Sequence, residues 1–409
     1  MINEKIGATY DFFLNWGIII LAVSMTFSIT LMNISFGFLS LAMLLLIFSG
    51  KLRFRSTGLE LPLLIFIGFY ALSAVLGPDP VHSLKDVSDN YWYILHMYLI
   101  IMLFDNKEID KFVRYLGWST VIVSVYTILQ SLVGLNFNMG FHLGRTIKMV
   151  APELEKVFEI KGLPIYMGTG IMGHHLTFGG QIMMLVFFTY FAFRRRWPVV
   201  VAMIAFFFSF AYSAWFGAVV AVIIFLMFVK KRRILAIGIF VLFVTVITAV
   251  PGNTDRIAGK WNDRLQIWKT SLEMYALHPV SGIGAGQYTR VFEEEYMERY
   301  SGSTDGARCH PHSIYLDMLV EGGVLTFFAF LFFLWKFYSI YGKTPVSGKW
   351  RKIHTAGILA FTAVLAAGIF QTYLTDAENS VLIWTLIGLI VRIKMIEHEN
   401  RRFDIVFNT

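Results

Sequence analysis

The amino-acid sequence predicts an all-α, polytopic integral membrane protein with about twelve transmembrane helices and one large loop late in the chain. Three observations predict it. The first is composition: 56% of the 409 residues are hydrophobic and only 15% are charged, against about 45–50% and about 25% in soluble globular chains. The second is length, since at about 20 apolar residues per crossing a dozen crossings use about 240 residues and leave roughly 170 for loops and ends. The third is that Lys and Arg gather in short clusters between apolar runs, which marks cytoplasmic loops. That clustering accounts for the formal net charge of +8, which in a soluble chain would suggest nucleic acid; here nucleic acid is excluded as a partner. The single cysteine, Cys309, excludes an intramolecular disulfide and a multi-cysteine metal or iron–sulfur site.

The first apolar run, about Phe12 to Met32, is too long for a signal-peptide core and is followed by no small-residue cleavage site, so it is expected to be a retained first span. Further spans are expected at 34–49, 60–76, 90–104, 113–134 and 168–193. The stretch 198–229 suits either one very long helix or two short ones. Arg194, Arg195 and Arg196 precede it and Lys230, Lys231, Arg232 and Arg233 follow; if both clusters are cytoplasmic, the crossings between them are even in number. Two short helices, 198–211 and 213–229, are therefore expected. The series ends with 234–250, 315–341, 353–375 and 379–395. The same rule places the clusters around Lys51, Lys107, Lys343 and Arg392 on the cytoplasmic side with both termini. Two long loops, 135–165 and 251–312, are left on the outer face of a single transmembrane domain, 1–409. In a bacterium that face is the periplasm or the cell exterior. No pair of matching Gly/Pro-broken spans occurs in the two halves, which counts against an inverted-repeat transporter.

The loop 251–312 is where chemistry is expected, because a chain that only reverses direction needs a few residues. Its segment Asn262-Asp263-Arg264-Leu265-Gln266-Ile267-Trp268 predicts a helix start, with Asp263 and Gln266 at capping-box spacing. Arg264 and Trp268 then share a face, a planar donor fork suited to phosphate beside an apolar wall; an Arg paired with Asp263 and a Trp at the membrane interface fit the spacing as well. The glycines of His278-Pro279-Val280-Ser281-Gly282-Ile283-Gly284-Ala285-Gly286 permit a tight turn or a close ligand approach. The loop closes on Arg308-Cys309-His310-Pro311-His312-Ser313. A histidine at this membrane edge suits a general base for a hydroxyl acceptor, and equally a hydrogen-bonded interfacial role. Cys309, His310 and His312 match no familiar zinc spacing. Ser313, Asp317 and Glu321 lie on one face of the next span, where acids face a cavity or a partner. His174 and His175, with Arg145 and Lys148, suit a positively charged outward cavity and ordinary loop solvation alike, the latter favoured for Lys148, and Asp376 and Glu378 are expected to form a polar turn.

These residues resemble the O-antigen ligase and polymerase superfamily of bacterial membrane glycosyltransferases. The family's C-terminal signature is an Arg-x-x-x-Trp element in a large periplasmic loop, then His-Asn/Ser/Gln, nine residues, and Gly; here these are Arg264/Trp268, His312-Ser313 and Gly323. His278–Gly286 is similar to the family's linker, and Glu321-Gly322-Gly323 to its continuation. The motif resemblance covers roughly 260–326. One departure stands out: where many members have Ser-Arg-Gly-Ala-Trp between two short spans, this chain has Ala211-Tyr212-Ser213-Ala214-Trp215. Tyr212 replaces the arginine, so either Arg145, Arg290 or Arg308 supplies the compensating charge or the donor is gripped differently.

The resemblance implies a GT-C-like enzyme of the inner membrane, without cofactor or metal, that inverts configuration while moving a glycan from undecaprenyl diphosphate to a sugar hydroxyl. For a ligase the acceptor is lipid A–core; for a polymerase it is a growing chain. It implies His312 as base and Arg264 as the stabiliser of the departing diphosphate. Trp268, Arg145, Arg290, Arg308, His310, His174, His175, Tyr212 and Glu321 are then the expected substrate-binding set. A lipid-linked oligosaccharide flippase is the alternative of a different class, but its charges should follow a transmembrane path, whereas these gather on one outer face.

Overall fold

Each expected apolar run contains a helix, but 168–174 and 368–375, expected inside the spans 168–193 and 353–375, are turns. The computed structural model describes residues 2–134, 154–300 and 309–407, apart from positions 53, 161, 251, 343–345 and 347. The chain opens with α1 (Ile2–Ser24) and α2 (Ile29–Phe48) packed as a pair. Their break lies at 25–28 and not near 33 as expected. The hydroxyls there bond carbonyls one turn back, Ser24 to Leu21 at 3.1 Å and Thr26 to Val23 at 3.2 Å, and Ser28 is extended at the start of α2. Such local bonds compete with helix continuation.

α3 (Glu60–Leu76) stands where expected. The run 90–104 is shorter than expected, because the amphipathic α4 (Pro80–Tyr91), capped by Asp79, takes its first residues. What remains is α5 (Ile94–Leu103), ten residues and almost wholly buried. α6 (Asn106–Val133) begins before the expected 113, at a capping box formed by Asp105 and Glu108. Residues 156–160 and 163–166 form an element absent from the expected all-α fold: a two-stranded antiparallel hairpin, β1 (Lys156–Ile160) and β2 (Leu163–Tyr166). Its Val157 and Ile165 are buried with Phe210 and Trp215.

α7 (His175–Ala192) precedes the stretch for which two short helices were expected, and two form: α8 (Trp197–Phe208) and α9 (Tyr212–Ile224), the latter ending in a π-helical turn, Phe225–Val229. Between them Phe210 adopts φ +47°, and Ser209 Oγ donates to the Phe206 carbonyl at 2.7 Å while accepting the Ala211 N–H at 3.3 Å. α10 (Arg233–Ala249) bends by 101° into α11 (Asn253–Leu277). α11 is by itself too rich in charge to cross and occupies much of the described part of 251–312. It starts nine residues before the expected Asn262, so Asp263 lies in the helix interior and caps nothing; Gly252, left-handed at φ +69°, marks the true start.

After the short α12 (Tyr288–Val291) come α13 (Ile314–Phe337), α14 (Arg351–Ala367) and α15 (Ala377–Phe407). Among the described residues seven helices are long and apolar enough to cross a membrane, or eight if the bent pair is one span. The other apolar helices, α3, α5, α8, α10 and α14, have 10 to 17 residues. The chain is a multi-pass membrane protein. α15 is its central post, 94% buried over its apolar window and packed on α5, α7 and α14. A Cβ at Gly388 would lie 2.8 Å from the Met97 carbonyl, so only glycine lets α15 approach α5 this closely. At the far end of α15, Arg392 is buried against the Phe104 carbonyl at 2.6 Å, Asp105, and Glu399 at 3.1 Å.

Candidate functional site

The site is built on a broken helix. Inside α13, Gly323 has φ 72° and ψ −179°, a conformation essentially confined to glycine. The segment 278–286 closes onto that break through three backbone bonds: Val324 N–H to Pro279 (3.0 Å), Ile283 N–H to Val320 (2.9 Å) and Gly284 N–H to Glu321 (3.1 Å). A Cβ at Gly323 would lie 2.2 Å from the Val280 oxygen, and one at Gly282 2.3 Å from the Glu321 oxygen. These glycines thus serve backbone-to-backbone packing and not the approach of a ligand. Glu321, expected among substrate-binding residues, is a tether. Its carboxylate accepts from the Tyr70 hydroxyl (2.7 Å), Gly286 N–H (2.9 Å) and Tyr288 N–H (3.3 Å), joining α3, the loop and α13.

Just before α13, His312 is buried and held at φ +52°. Left-handed backbone in a non-glycine residue costs of order 1–3 kcal/mol and persists only where the surroundings impose it. Here they do. Its Nδ1 is 3.2 Å from Gln371 Oε1, its backbone N–H donates to His310 Nδ1 at 3.2 Å, and the Thr372 hydroxyl lies 3.2 Å from that same Nδ1. The two imidazoles stand edge to face, 4.1 Å apart. With the Gln371 oxygen accepting, His312 carries its proton on Nδ1, and the basic lone pair is on Nε2. Burial, aided by the nearby Arg264 guanidinium, holds His310 down to about 4, so it is neutral at physiological pH and can accept at Nδ1.

Arg264 reaches this cluster from α11. Burial lowers it to about 10, partly offset by Asp263, so it stays cationic; Tyr300 and Tyr373 are its other electrostatic neighbours. It makes no ion pair or hydrogen bond among the described residues, so the simple Arg264–Asp263 pair is not formed. Four residues on, Trp268 lies nearly parallel to Phe370 (5.9 Å, 17°), and Trp261 packs edgewise on both rings at 6.0 and 6.1 Å.

One turn therefore organises everything. Between α14 and α15, Phe370 meets Trp268, Gln371 holds His312, Thr372 contacts His310, and the Tyr373 hydroxyl is 3.0 Å from Ser213. The sequence reading missed all four residues and treated the neighbouring Asp376 and Glu378 as a plain polar turn. Asp376 in fact binds the Thr177 hydroxyl at 2.8 Å and the Asn379 amide at 3.0 Å, locking α7 to α15. The available signal was a Gln-Thr-Tyr interruption of an apolar stretch.

The remaining expected residues divide. His174 and His175 sit together at the start of α7, rings 4.9 Å apart, with Lys260 beside both. Tyr212 opens α9, where Lys260 Nζ is 5.5 Å from its ring centre and Arg256 adjoins its phenol. Arg256 and Lys260 were also missed. With the helix start set at Asn262, their spacing of four and eight residues before Arg264 went unused. Arg290 is exposed and bound to Glu294 at 2.9 Å, with no contact to Arg264 or His312, so it does not supply the charge missing at Tyr212. Arg145, Lys148 and Arg308 lie outside the described residues. Among the described residues no group of three His, Cys, Asp or Glu side chains is placed to hold a metal ion.

Residues 197–331 match the family described as O-antigen ligase. The matched region runs from α8 into α13 and includes Tyr212, Arg264, Trp268, His312 and Gly323. No curated protein matches the chain.

Proposed function

We propose, from its membrane-length apolar helices and the match of residues 197–331 to the family described as O-antigen ligase, that the chain is a ligase of the inner membrane. It moves a glycan from undecaprenyl diphosphate to a sugar hydroxyl of lipid A–core. The observation that supports this reading is the turn Phe370–Tyr373, which gathers a histidine bonded through Nδ1 and a half-buried, still-charged arginine into one cluster.

In the proposed reaction His312 Nε2 takes the proton of the acceptor hydroxyl as its oxygen attacks the anomeric carbon. The bond from that carbon to the diphosphate oxygen breaks, configuration inverts, and undecaprenyl diphosphate departs with the electron pair. Arg264 stabilises the charge growing on that oxygen, an effect magnified where water is excluded. Trp268 and Phe370 supply the apolar wall. His310 holds the His312 backbone, and His174 and His175 lie beside Lys260. The expected loops, 135–165 and 251–312, would both belong to the periplasmic side with this site. About 22 Å along α15, at 1.5 Å per residue, the basic ends around Arg392 would mark the cytoplasmic side and both termini.

The test is the lipopolysaccharide gel profile of a host lacking this protein, complemented with wild-type, Arg264→Ala or His312→Ala chains, together with the pool of carrier-linked glycan. A ligase leaves long polymer on the carrier and none on core, and neither variant restores it. Core bearing a single repeat would replace this reading with a polymerase. Full restoration by either well-expressed variant would overturn the site, and an unchanged profile would return the chain to transport.

A further inference from the structure

We propose that Lys260 and Arg256 bind the carrier's diphosphate, standing in for the arginine that Tyr212 displaces. This rests on the ligase reading for the identity of the anion, not for the existence of an anion site. α11 carries Arg256, Lys260, Arg264 and Trp268 at four-residue steps, which places them along one helix face. The face does not end at Arg264. Its middle cation, Lys260, stands over the Tyr212 ring at 5.5 Å and beside His174 and His175. Its first, Arg256, adjoins the Tyr212 phenol and donates Nη2 to the Lys156 carbonyl of β1 at 3.4 Å.

Two observations show that this stripe is built to receive an anion. Arg256 Nη1 is buried without a hydrogen-bond partner, a donor the protein itself leaves unused. Lys260 makes no ion pair among the described residues, although Glu155 is near enough to influence it. Three cations at i, i+4 and i+8 repel one another along a helix; a diphosphate lying along the face would satisfy all three. The division of labour follows from position. Arg264, near His310, serves the phosphate at the breaking bond, and Lys260 with Arg256 serves the second phosphate, on the Tyr212 side. A phenol cannot carry the charge an arginine would bring to position 212. The neighbouring helix supplies it from across the gap.

Binding of farnesyl diphosphate to the full-length protein in detergent micelles, followed by calorimetry, tests this directly. Lys260→Gln and Arg256→Gln should each weaken binding about tenfold or more, the range of a lost charge-assisted hydrogen bond. Adding Tyr212→Arg to Lys260→Gln should recover most of the loss. Lys260 is exposed, so its variant folds even where Arg256→Gln does not. Unchanged affinity in Lys260→Gln, no recovery on adding Tyr212→Arg, or no binding by wild type would each overturn the proposal. Wild-type protein that binds through Lys260 yet transfers no glycan would overturn the ligase reading alone. Transfer-competent protein whose binding ignores Lys260 would overturn this inference alone.

Discussion

Gln371→Leu tests the catalytic geometry at its most specific point. The Gln371 oxygen, 3.2 Å from His312 Nδ1, is the acceptor that places the proton there and leaves the lone pair on Nε2. Leucine is similar in length and fills the same buried space, but it accepts nothing. A buried N–H left without its acceptor costs about 1–3 kcal/mol, and the imidazole is released to the other tautomer or to a rotated ring. At 1.36 kcal/mol per factor of ten, turnover should fall about 5- to 150-fold. Affinity for the lipid-linked donor should hold, because Arg264 and Trp268 are untouched. The assay is steady-state transfer by purified protein with donor concentration varied, alongside thermal unfolding to show that the fold survives. A double-mutant cycle with His312→Ala sharpens it: if Gln371 acts only through His312, Gln371→Leu should add no loss to the His312→Ala variant. Wild-type turnover in Gln371→Leu, or additive losses in the double variant, would refute the assignment of Gln371 as the residue that positions the base.

Two further outcomes are expected. Gly323→Ala forces a Cβ to 2.2 Å from the Val280 oxygen in backbone that alanine does not adopt, so the 278–286 segment must detach from α13. The unfolding temperature in detergent should drop by an amount reflecting more than about 3 kcal/mol, and an unshifted melt would show that the break is not required. The second outcome concerns pH. His310 is held to about 4 from 6.5, so below 6.5 the unfolded chain binds more protons at this position than the folded one. Its contribution to stability is full above about 6.5 and declines as pH falls from there towards 4. Melting curves between those limits should flatten in His310→Asn relative to wild type, and parallel curves would exclude His310 as the source.

The sequence makes the membrane helices plain because burial in lipid leaves no choice of pattern: apolar runs must be long and basic clusters must stay on one side. Charge parity sufficed to split 198–229, and Phe210 at φ +47° is where the chain turns. Arg264 and Trp268 were legible as one helix face. The start of α11 was not, because Asp263 and Gln266 imitate a capping box inside a continuous helix, and that error hid Arg256 and Lys260. The glycines of 282–286 were misread for another reason. A positive φ serves a ligand or a second backbone equally well, and only the tertiary structure shows that Val320–Val324 occupies the space. Glu321 follows the same logic: an acid in an apolar span announces that it has partners, but not that they are Tyr70 and two backbone N–H groups.

The turn Phe370–Tyr373 was least legible, and its position explains why the parts depend on one another. His312 stands before α13, and Arg264 comes from α11, which by itself is not apolar enough to cross a membrane. The two elements touch directly, Ile267 and Met274 of α11 packing with Val320 of α13. Both are also referred to the turn between α14 and α15: Ile314 N–H bonds the Gly368 carbonyl at 2.8 Å, seating the start of α13 on the end of α14, while Phe370 seats the face of α11 two residues later. A reacting group misplaced by even about 1 Å can lose a hundredfold in rate, so the packing of α11 on α13 is reinforced by a second anchor. Seating both groups within one short turn, anchored by the central post of the bundle, makes their separation a property of the rigid core and not of the loop.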